Sequence, residues 1–308
     1  MKTLHTIPGL TALPGPVHLA IGFFDGVHIG HQEVIRRAQA AAAADGGTAV
    51  VVTFDPHPMK FLRPETAPRL LTSTLHKGLI LTQLGVSHLL IIPFDSALAS
   101  LAPDAFITSL VTASRPLGSI SVGFNWAFGK GRSGSLQTLT ALGQALGFQV
   151  HGIPAVTVAE EPVSSTRVRL AVERGDFPAA ARLLGRDYSV HGTIVQGRQL
   201  ARKLGFPTAN LSLEAEQLPP IGVYAVRVTV AGKSCKGVAN LGLRPTVEDG
   251  TAKRQLEVHL FDHTGDLYGQ GIEVRFIQRL RDEMKMDSLE ALKAQIALDA
   301  AQARSVLG

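Results

Sequence analysis

Two histidines, His28 and His31, are the residues whose type and spacing point most directly to phosphate chemistry. They lie in the motif Gly-Phe-Phe-Asp-Gly-Val-His-Ile-Gly-His, residues 22–31. The apolar run 17–21 before it predicts a buried strand, and the alanine-rich pattern 32–44 after it predicts a helix. Unpaired N–H groups and the helix dipole favour an anion where such a helix begins. The motif therefore predicts a phosphate-binding site.

The chemistry that this pair favours is nucleotidyl transfer. Attack on an α-phosphate adds negative charge to its oxygens, and two imidazoles one helical turn apart can donate hydrogen bonds to them and to the leaving pyrophosphate. Gly30 keeps the space between the rings open for a nucleotide. Surface or capping histidines, or half of a metal site, are the alternatives, although no Cys or carboxylate cluster at ligand spacing completes a zinc site.

A second phosphate-handling segment is Ser164-Ser-Thr-Arg167, followed by Arg169. Hydroxyls and N–H groups at a helix start, with arginine one turn further on, suit a triphosphate. The alternative is a helix N-cap followed by solvated arginines. Because the same sheet edge carries the histidines, the functional interpretation is favoured here.

Two loops of the first half combine aromatic and polar residues. In 54–61, two prolines stiffen the loop, His57 could meet an anion and Phe61 a flat ring, although a rigid connecting loop is equally compatible. The loop 123–134 has Gly-x-Gly-x-x-Gly spacing, but it follows the fourth predicted strand rather than opening the first helix, so it is no dinucleotide fingerprint. A substrate loop fits better, with these candidate contact residues: Asn125, Trp126 and Phe128.

The second half contains a separate group of candidate residues. In the run 205–210, the Thr208 hydroxyl could bind Mg²⁺ and Asn210 a phosphate or the substrate; a loop between strands is the alternative. In 254–261, alternation places Glu257 on a polar face. That face could be merely solvated, but a glutamate beside a γ-phosphate could accept the proton of an attacking hydroxyl.

Composition bounds the class of protein. The chain has 308 residues, 45% hydrophobic and 18% charged, with a net charge of +5 carried by scattered basic residues. This predicts small anionic substrates rather than a nucleic-acid partner. The single Cys235 excludes an internal disulfide framework and fits a reducing cytoplasm. We expect no signal peptide and no membrane span.

The elements that must position these residues follow from hydrophobic periodicity. Strand-like runs alternate with helical patterns through the first half, which predicts a parallel sheet covered on both faces. Strands are expected at 17–21, 48–54, 88–92, 119–123 and about 148–158, and helices near 32–44, 73–84, 103–112 and 135–146. The loops 22–31, 54–61 and 123–134 then share the edge at which ligands bind.

After 184–187 the helical patterns give way to strands, which predicts an antiparallel sheet or small barrel of about 100 residues. These strands are expected at 189–195, 222–230, 235–241, 254–261 and 272–280. A final amphipathic helix is expected, with Asp287 and Glu290 as a capping box and one face shared by Leu289, Leu292 and Ile296. We place the domain boundary near 186.

Together these motifs resemble the bifunctional riboflavin kinase/FAD synthetase family of bacteria, over about residues 17–305. The motifs that carry the resemblance stand in the family's order: Phe24-Asp-Gly-Val-His-Ile-Gly-His31, Thr53-Phe-Asp-Pro-His-Pro58, the 123–134 loop, Ser164-Ser-Thr-Arg-Val-Arg169, Leu184-Gly-Arg186, Leu204-Gly-Phe-Pro-Thr-Ala-Asn210, Gly222-Val-Tyr224, Gly237-Val-Ala-Asn-Leu-Gly-Leu-Arg-Pro-Thr246, Leu256-Glu-Val-His259, Gly265-Asp-Leu-Tyr-Gly269 and Arg281-Asp-Glu283.

The resemblance implies two domains. Residues 1–186 would form an FMN adenylyltransferase domain on a doubly wound, Rossmann-like parallel sheet of the nucleotidyltransferase type. Residues 187–308 would form a riboflavin kinase domain on an antiparallel six-stranded β-barrel with a C-terminal helix. The kinase would make FMN from riboflavin and ATP, and the adenylyltransferase would make FAD and pyrophosphate from FMN and a second ATP.

The resemblance also assigns roles to residues. Catalytic roles go to His28, His31, Arg167 and Glu257. ATP binding in the adenylyltransferase goes to Gly22, Phe23, Asp25, Gly30, Ser164, Ser165, Thr166 and Arg169, and FMN binding to His57, Phe61, Asn125 and Phe128. ATP or flavin binding in the kinase goes to Gly197, Asn210, Arg281 and Glu283, and Thr208 would hold Mg²⁺.

The implied partners are small molecules only, in a cytoplasmic monomer or weak homo-oligomer without nucleic acid or membrane contacts. A single-activity member and a non-catalytic flavin- or RNA-binding regulator are the alternatives. Some positions depart from the family pattern. Asn125 and Trp126 stand where Asp and Phe or Tyr are common, Ala201 where Gly is usual, Gln196 where His is commoner, and Met286 where Phe is commoner.

Overall fold

The computed structural model describes residues 1–196, 205–213, 217–245, 252–263, 265 and 267–308. It divides into two compact units, the first made of 1–69 and 74–165, the second of 70–73 and 166–308. Within the described residues, no helix is both long enough and apolar enough to cross a lipid bilayer.

The first unit is built on a six-stranded sheet in which every neighbouring pair is parallel. Its strands are β1 (Lys2–Leu4), β2 (Val17–Ile21), β3 (Thr48–Asp55), β4 (His88–Pro93), β5 (Leu117–Gly123) and β6 (Gln149–Ile153). The spatial order is β1-β4-β3-β2-β5-β6, so the strand order reverses around the central β2. The predicted parallel sheet is confirmed.

Helices cover both faces of this sheet. They are α1 (Ile29–Asp45), α2 (Pro58–Leu62), α3 (Thr74–Gln83), α4 (Ser96–Ser100), α5 (Pro103–Ala113) and α6 (Leu136–Leu146). Alternate residues of β2 enter two separate apolar clusters: Leu19 and Ile21 pack with α5, and Ala20 packs with α1 and α3. Burial on both faces explains why these strands read as unbroken apolar runs.

Two details of the first unit differ from the sequence prediction. The strand expected at about 148–158 ends at Ile153, because Pro154 follows it and cannot donate to a ladder; β7 (Thr157–Val158) and β8 (Glu161–Pro162) then form a small antiparallel ribbon. The edge strand β1 was not predicted, since three residues are too few to show a period. The predicted end of α1 is confirmed by Gly46, which has a φ of 70°.

A trio of polar side chains, of which His18 and Ser119 are buried and Asp45 is exposed, joins the N-terminal ends of two strands to the end of α1. The His18 ring lies 2.8 Å from the Ser119 hydroxyl through Nδ1 and 3.0 Å from an Asp45 carboxylate oxygen through Nε2. A Cβ at Gly118 would come within 2.5 Å of this ring, so only glycine leaves room for it. The trio therefore holds β2, β5 and α1 together at the edge opposite the carboxyl ends of the strands.

The second unit is a closed antiparallel barrel preceded by helices α7 (Ser165–Glu173) and α8 (Phe177–Leu184). Its strands are β9 (Ser189–Val195), β10 (Ala209–Leu213), β11 (Gly222–Val230), β12 (Lys233–Pro245), β13 (Ala252–Leu260) and β14 (Gly271–Arg281), in the order β10-β13-β12-β11-β14-β9. The six-stranded barrel that the resemblance implied is confirmed. Hydrophobic periodicity alone predicted five of these strands, and β10 was not among them.

The division into compact units falls before Thr166, ahead of the predicted boundary near 186. Aromatic packing accounts for the difference: the Phe177 ring of α8 lies 5.6 Å from Phe276 and 5.8 Å from Tyr224, both in the barrel. Helix α8 therefore belongs to the compact unit of the barrel. The assignment of one activity to 1–186 and the other to 187–308 stays a prediction.

The last helix, α9 (Leu289–Leu307), packs on the barrel through Ala303 and Leu307. Its N-cap is Ser288, whose Oγ accepts a hydrogen bond from the Ala291 N–H at 3.0 Å. The predicted capping box of Asp287 and Glu290 is therefore wrong by one residue, because Ser288 already has the extended backbone of a cap. Leu289 is 52% exposed and lies outside the packed face.

A matched pair of substitutions tests how much α9 stabilises the barrel. Leu307 is 3% exposed and Leu298 on the same helix is 63% exposed. We expect Leu307→Ala to lower the free energy of unfolding of the second unit by about 2–5 kcal/mol, because it leaves a cavity. Leu298→Ala should change it by less than about 0.5 kcal/mol.

Urea unfolding followed by far-UV circular dichroism measures both changes. The single tryptophan, Trp126, lies in the first unit, so its fluorescence reports separately on that unit. Equal effects of the two substitutions would contradict the packing of α9.

Candidate functional site

A strained turn connects β2 to α1 at the carboxyl edge of the sheet. Phe24, Gly26 and Val27 have φ values of 55°, 76° and 43°. The left-handed region is costly for a β-branched residue such as Val27, and strain of this kind persists only where the surroundings hold it. A Cβ at Gly22 would lie 2.9 Å from the Phe24 ring, so glycine is required where the strand enters the turn.

The turn delivers His28 as the N-cap of α1, where its Nδ1 accepts a hydrogen bond from the His31 N–H at 3.2 Å. Because Nδ1 is the acceptor, the neutral His28 ring carries its proton on Nε2 and can donate it to a ligand. The two rings stack with centroids 3.5 Å apart and an interplanar angle of 17°. The predicted position of the pair at a helix N-terminus is confirmed.

The His31 ring is held in its neutral form. Burial lowers its pKa well below the ordinary value of 6.5, and the nearby His28 and Lys77 lower it further. Its Nδ1 is buried and has no hydrogen-bond partner within the described part of the chain. A bound polyanion would oppose all three effects, since negative charge favours the imidazolium.

A cavity of about 260 Å³ opens beside the histidines. It is lined by residues at the carboxyl ends of three neighbouring strands and the start of α1: Ile21 to Phe24, His28, Gly30, His31, Val34, Gly123 to Trp126, Ile153 to Val156 and Val163. A Cβ at Gly30 would approach the His28 ring to 3.2 Å, so glycine preserves this space.

The residues expected to bind the flavin lie around this cavity in different environments. The Asn125 side chain is exposed and lines both this cavity and an open groove of about 770 Å³ against α6. Phe128 is 6% exposed and belongs to the core, and the Trp126 ring stacks on it with centroids 4.4 Å apart. Phe124 and Trp126, and not Phe128, are therefore the aromatic residues of this loop that line both spaces.

The predicted loop 54–61 also reaches the turn between β2 and α1. The His57 ring meets the Phe23 ring edge-on at 3.8 Å, and its Nδ1 accepts a hydrogen bond from the Met59 N–H, which caps α2. Phe61 is 43% exposed and lies 5.9 Å from the Phe94 ring. The structure thus brings His57 to the histidine turn and leaves Phe61 at the surface of α2.

The Ser164–Arg169 segment contributes to the turn through its first helical residue. The Ser165 hydroxyl donates to the Asp25 carbonyl oxygen at 3.0 Å, within the first unit. Thr166, Arg167 and Arg169 follow in α7 and belong to the second unit. Their proposed contact with a triphosphate, like that of Ser164, stays a prediction.

A buried lysine beneath the turn was not among the predicted site residues. Lys77 of α3 is 1% exposed, and its Nζ donates to the Phe23 carbonyl oxygen at 2.7 Å and to the Thr53 hydroxyl at 3.2 Å. A signal existed in the sequence, because Lys77 lies three and four residues before Ile80 and Leu81, on the apolar face of the helix.

The second unit has its own polar group on the outer face of the barrel. Cross-strand pairing places Asn210 of β10, Glu257 of β13 and Asn240 of β12 in one row. Asn210 is 4% exposed, and its Oδ1 accepts from Gln255 Nε2 at 2.7 Å. The predicted alternation is confirmed: Leu256, on the opposite face, is fully buried.

Thr208 is half-buried just before β10. The neighbouring Pro207 carbonyl oxygen accepts from His259 Nδ1 at 2.8 Å, which ties the 205–208 segment to β13. The Asn240 Oδ1 is buried without a hydrogen-bond partner in the described residues, so this row retains an unused acceptor. Gly197 and Ala201 lie outside the described residues.

Arg281, expected to bind ATP or flavin, is engaged by α9. Its Nε and one Nη donate to the two carboxylate oxygens of Asp299 at 2.8 and 2.7 Å, and Asp299 is 5% exposed. Glu283 is exposed beyond the end of β14 and packs against Gly242. Within the described residues, no group of three His, Cys, Asp or Glu side chains is placed to hold a metal ion.

Comparison with known proteins agrees with both halves. Residues 11–167 match the family described as FAD synthetase, and residues 184–307 match riboflavin kinase. A bifunctional riboflavin kinase/FMN adenylyltransferase of Pseudomonas fluorescens is 41% identical over 286 residues, 93% of this chain and 91% of that protein. The Escherichia coli K12 protein of the same description is 37% identical, covering 100% and 98% of the two chains.

A solved Streptococcus pneumoniae structure, described as a macrolide-efflux protein, superposes with a TM-score of 0.82 at 29% identity, covering 99% of both chains. This likeness supports the fold. The two family matches span most of the chain, and the relatives exceed 30% identity over more than nine-tenths of it. The chain therefore belongs to the bifunctional riboflavin kinase/FMN adenylyltransferase family.

Proposed function

We propose that this chain makes FMN and then FAD. The first reaction moves the γ-phosphoryl group of ATP onto the ribityl 5′-hydroxyl of riboflavin. The second joins FMN to the adenylyl group of another ATP and releases pyrophosphate. The observation that carries this proposal is that one chain holds two groups of polar side chains on separate folds, the His28–His31 pair and the Asn210–Glu257–Asn240 row.

In the adenylyl transfer, an FMN phosphate oxygen attacks the α-phosphorus, and the bond to the bridging oxygen of pyrophosphate breaks. The attacking phosphate is already ionised near neutral pH, so the step needs charge stabilisation rather than a base. His28 Nε2–H, the His31 ring and the first N–H groups of α1 supply it. Gly22, Phe23 and Gly30 let the nucleotide approach, with His57, Asn125 and Trp126 on the flavin side.

In the phosphoryl transfer, the riboflavin hydroxyl attacks the γ-phosphorus while its proton passes to the Glu257 carboxylate and ADP leaves. Asn210 orients phosphate or substrate beside this base. Thr208 and the ATP phosphates offer the hard oxygen ligands that Mg²⁺ prefers, and the ion would neutralise phosphate charge. Arg281 and Glu283 remain candidates for binding ATP or flavin in this centre.

We further propose that the protein acts in the cytoplasm, as a monomer or weak homo-oligomer, on small molecules alone. The scattered basic residues and the modest net charge of +5 support the absence of a nucleic-acid partner. Incubation with riboflavin, ATP and Mg²⁺, followed by chromatographic separation of the flavins, tests the whole proposal. Formation of neither FMN nor FAD would refute it, and FMN as the starting substrate separates the two steps.

Replacing the proposed base separates the two reactions. Glu257→Gln removes the proton acceptor but keeps the shape, so riboflavin phosphorylation should fall by about 10²–10⁴-fold. Conversion of FMN to FAD should be unchanged. Glu290→Gln, an exposed position on α9, is the matched control and should keep both rates. Loss of both reactions in Glu257→Gln would count against independent centres.

The reciprocal experiment concerns the histidines. His31→Ala should lower FAD formation from FMN by about 10²–10³-fold, because a donor to the transition-state phosphate is lost. Phosphorylation of riboflavin should stay at the wild-type rate in the same preparation. The matched control is His5→Ala, at an exposed histidine of the same unit. Adenylyl transfer within about threefold of wild type would remove His31 from the mechanism.

A further inference from the structure

The buried Lys77 is a charged group that the two reactions described above do not use. An ammonium group is expensive to bury unless other groups compensate its charge. Here its Nζ donates to the Phe23 carbonyl oxygen and the Thr53 hydroxyl, and it lies 4.1 Å from the centre of the Phe23 ring. Such a cation–ring contact is favourable when both groups are desolvated.

The Phe23 carbonyl oxygen is one of several that hold the strained turn. It accepts from both Lys77 and the Thr53 hydroxyl, the latter at 2.9 Å. The Asp25 carbonyl accepts from Ser165, and the Val27 carbonyl accepts from Gln32 Nε2 at 2.9 Å. The carbonyl groups of residues 23, 25 and 27 thus each accept a hydrogen bond from a side chain outside the turn. Lys77 is the charged donor among these side chains.

Titratable groups on three other elements lie near Lys77. Burial lowers its pKa to about 8, while Asp25 of the turn and Asp55 at the end of β3 oppose that shift. His31 of α1 is close enough for Lys77 to contribute to its lowered pKa. The lysine is therefore bonded to the backbone of the turn and also acts on His31 through its charge.

We propose that Lys77, in its charged form, is a positioning residue for adenylyl transfer: it clamps the Phe23 carbonyl and so sets the strained turn that places His28 and His31 against the phosphates. This inference rests on the proposed adenylyl transfer. Loss of the clamp lets the turn relax and moves the two rings away from the reacting phosphate. A misplacement of about 1 Å at such a distance can cost about 100-fold in rate.

A pH dependence follows, and its sign is fixed. Above pH about 8 the ammonium of the free enzyme loses its proton, so kcat/KM for ATP in FMN adenylylation should fall as pH rises through that value. The phosphates of both substrates titrate near pH 6 or slightly above, below this window. Riboflavin phosphorylation by the same chain should show no decrease that depends on Lys77.

Three variants test the clamp, each assayed from FMN to FAD between pH 7 and 9.5, with riboflavin phosphorylation measured in parallel. Lys77→Met should lose about 100-fold in kcat/KM at pH 7 and show no fall near pH 8. Lys77→Arg keeps a charge that is not titrated between pH 7 and 9.5, so the fall near pH 8 should be absent. Thr53→Val, which removes the companion donor, should lose about tenfold. Lys2→Met, an exposed lysine of the same unit, is the matched control.

The outcomes separate cleanly. A wild-type profile that is flat from pH 7 to 9.5 overturns the proposal whatever the variants do, and so does Lys77→Met within about threefold of wild type. If Lys77→Met fails to fold by circular dichroism, Lys77→Arg decides: a fall that stays at the same pH overturns the proposal. A wild-type protein that forms no FAD refutes the proposed adenylyl transfer itself, a different result from any of these.

Discussion

The chain leaves a buried parallel strand at Ile21 and has to begin a helix within a few residues, with the first residues of that helix lining a cavity. This junction is possible only because Phe24, Gly26 and Val27 take left-handed backbone conformations, which are unfavourable for two of the three. The surrounding elements compensate by donating hydrogen bonds to the carbonyl groups of the turn. Much of the first unit therefore supports this one short turn, because the turn would not keep its strained geometry without those hydrogen bonds.

The second unit solves a similar problem without strain. Its polar row lies across three paired strands, so barrel closure and register fix the spacing of Asn210, Glu257 and Asn240. A slip of one residue would turn Glu257 into the core and a leucine outward, which burial of the opposite face forbids. The turn that carries His28 and His31 is thus fixed by side-chain hydrogen bonds, whereas the polar row of the barrel is fixed by strand register.

Sequence reasoning recovered the features that depend on local pattern. The parallel sheet, α1 with its Gly46 end, and the alternation of 255–260 all follow from periods and turn residues within a few positions. It failed where long-range packing decides. Strand β10 follows a proline-containing loop and has little pattern of its own, and the compact unit of the barrel takes in α8 through Phe177. Lys77 was overlooked because charge usually indicates solvent, and only its partners explain its burial.

The trio of Ser119, His18 and Asp45 has a consequence for how enzymes are recognised by shape. A search for serine hydrolases that asks only for a hydroxyl, an imidazole and a carboxylate linked in series would find this trio. Ser119 is nevertheless 1% exposed, at the sheet edge away from the ligand cavity, so no ester or peptide carbonyl can reach its oxygen. The same three residue types that perform acyl transfer elsewhere serve here as a hydrogen-bonded tie between elements. The buried hydroxyl distinguishes the two, and so does the imidazole, because Nδ1 rather than Nε2 faces the serine.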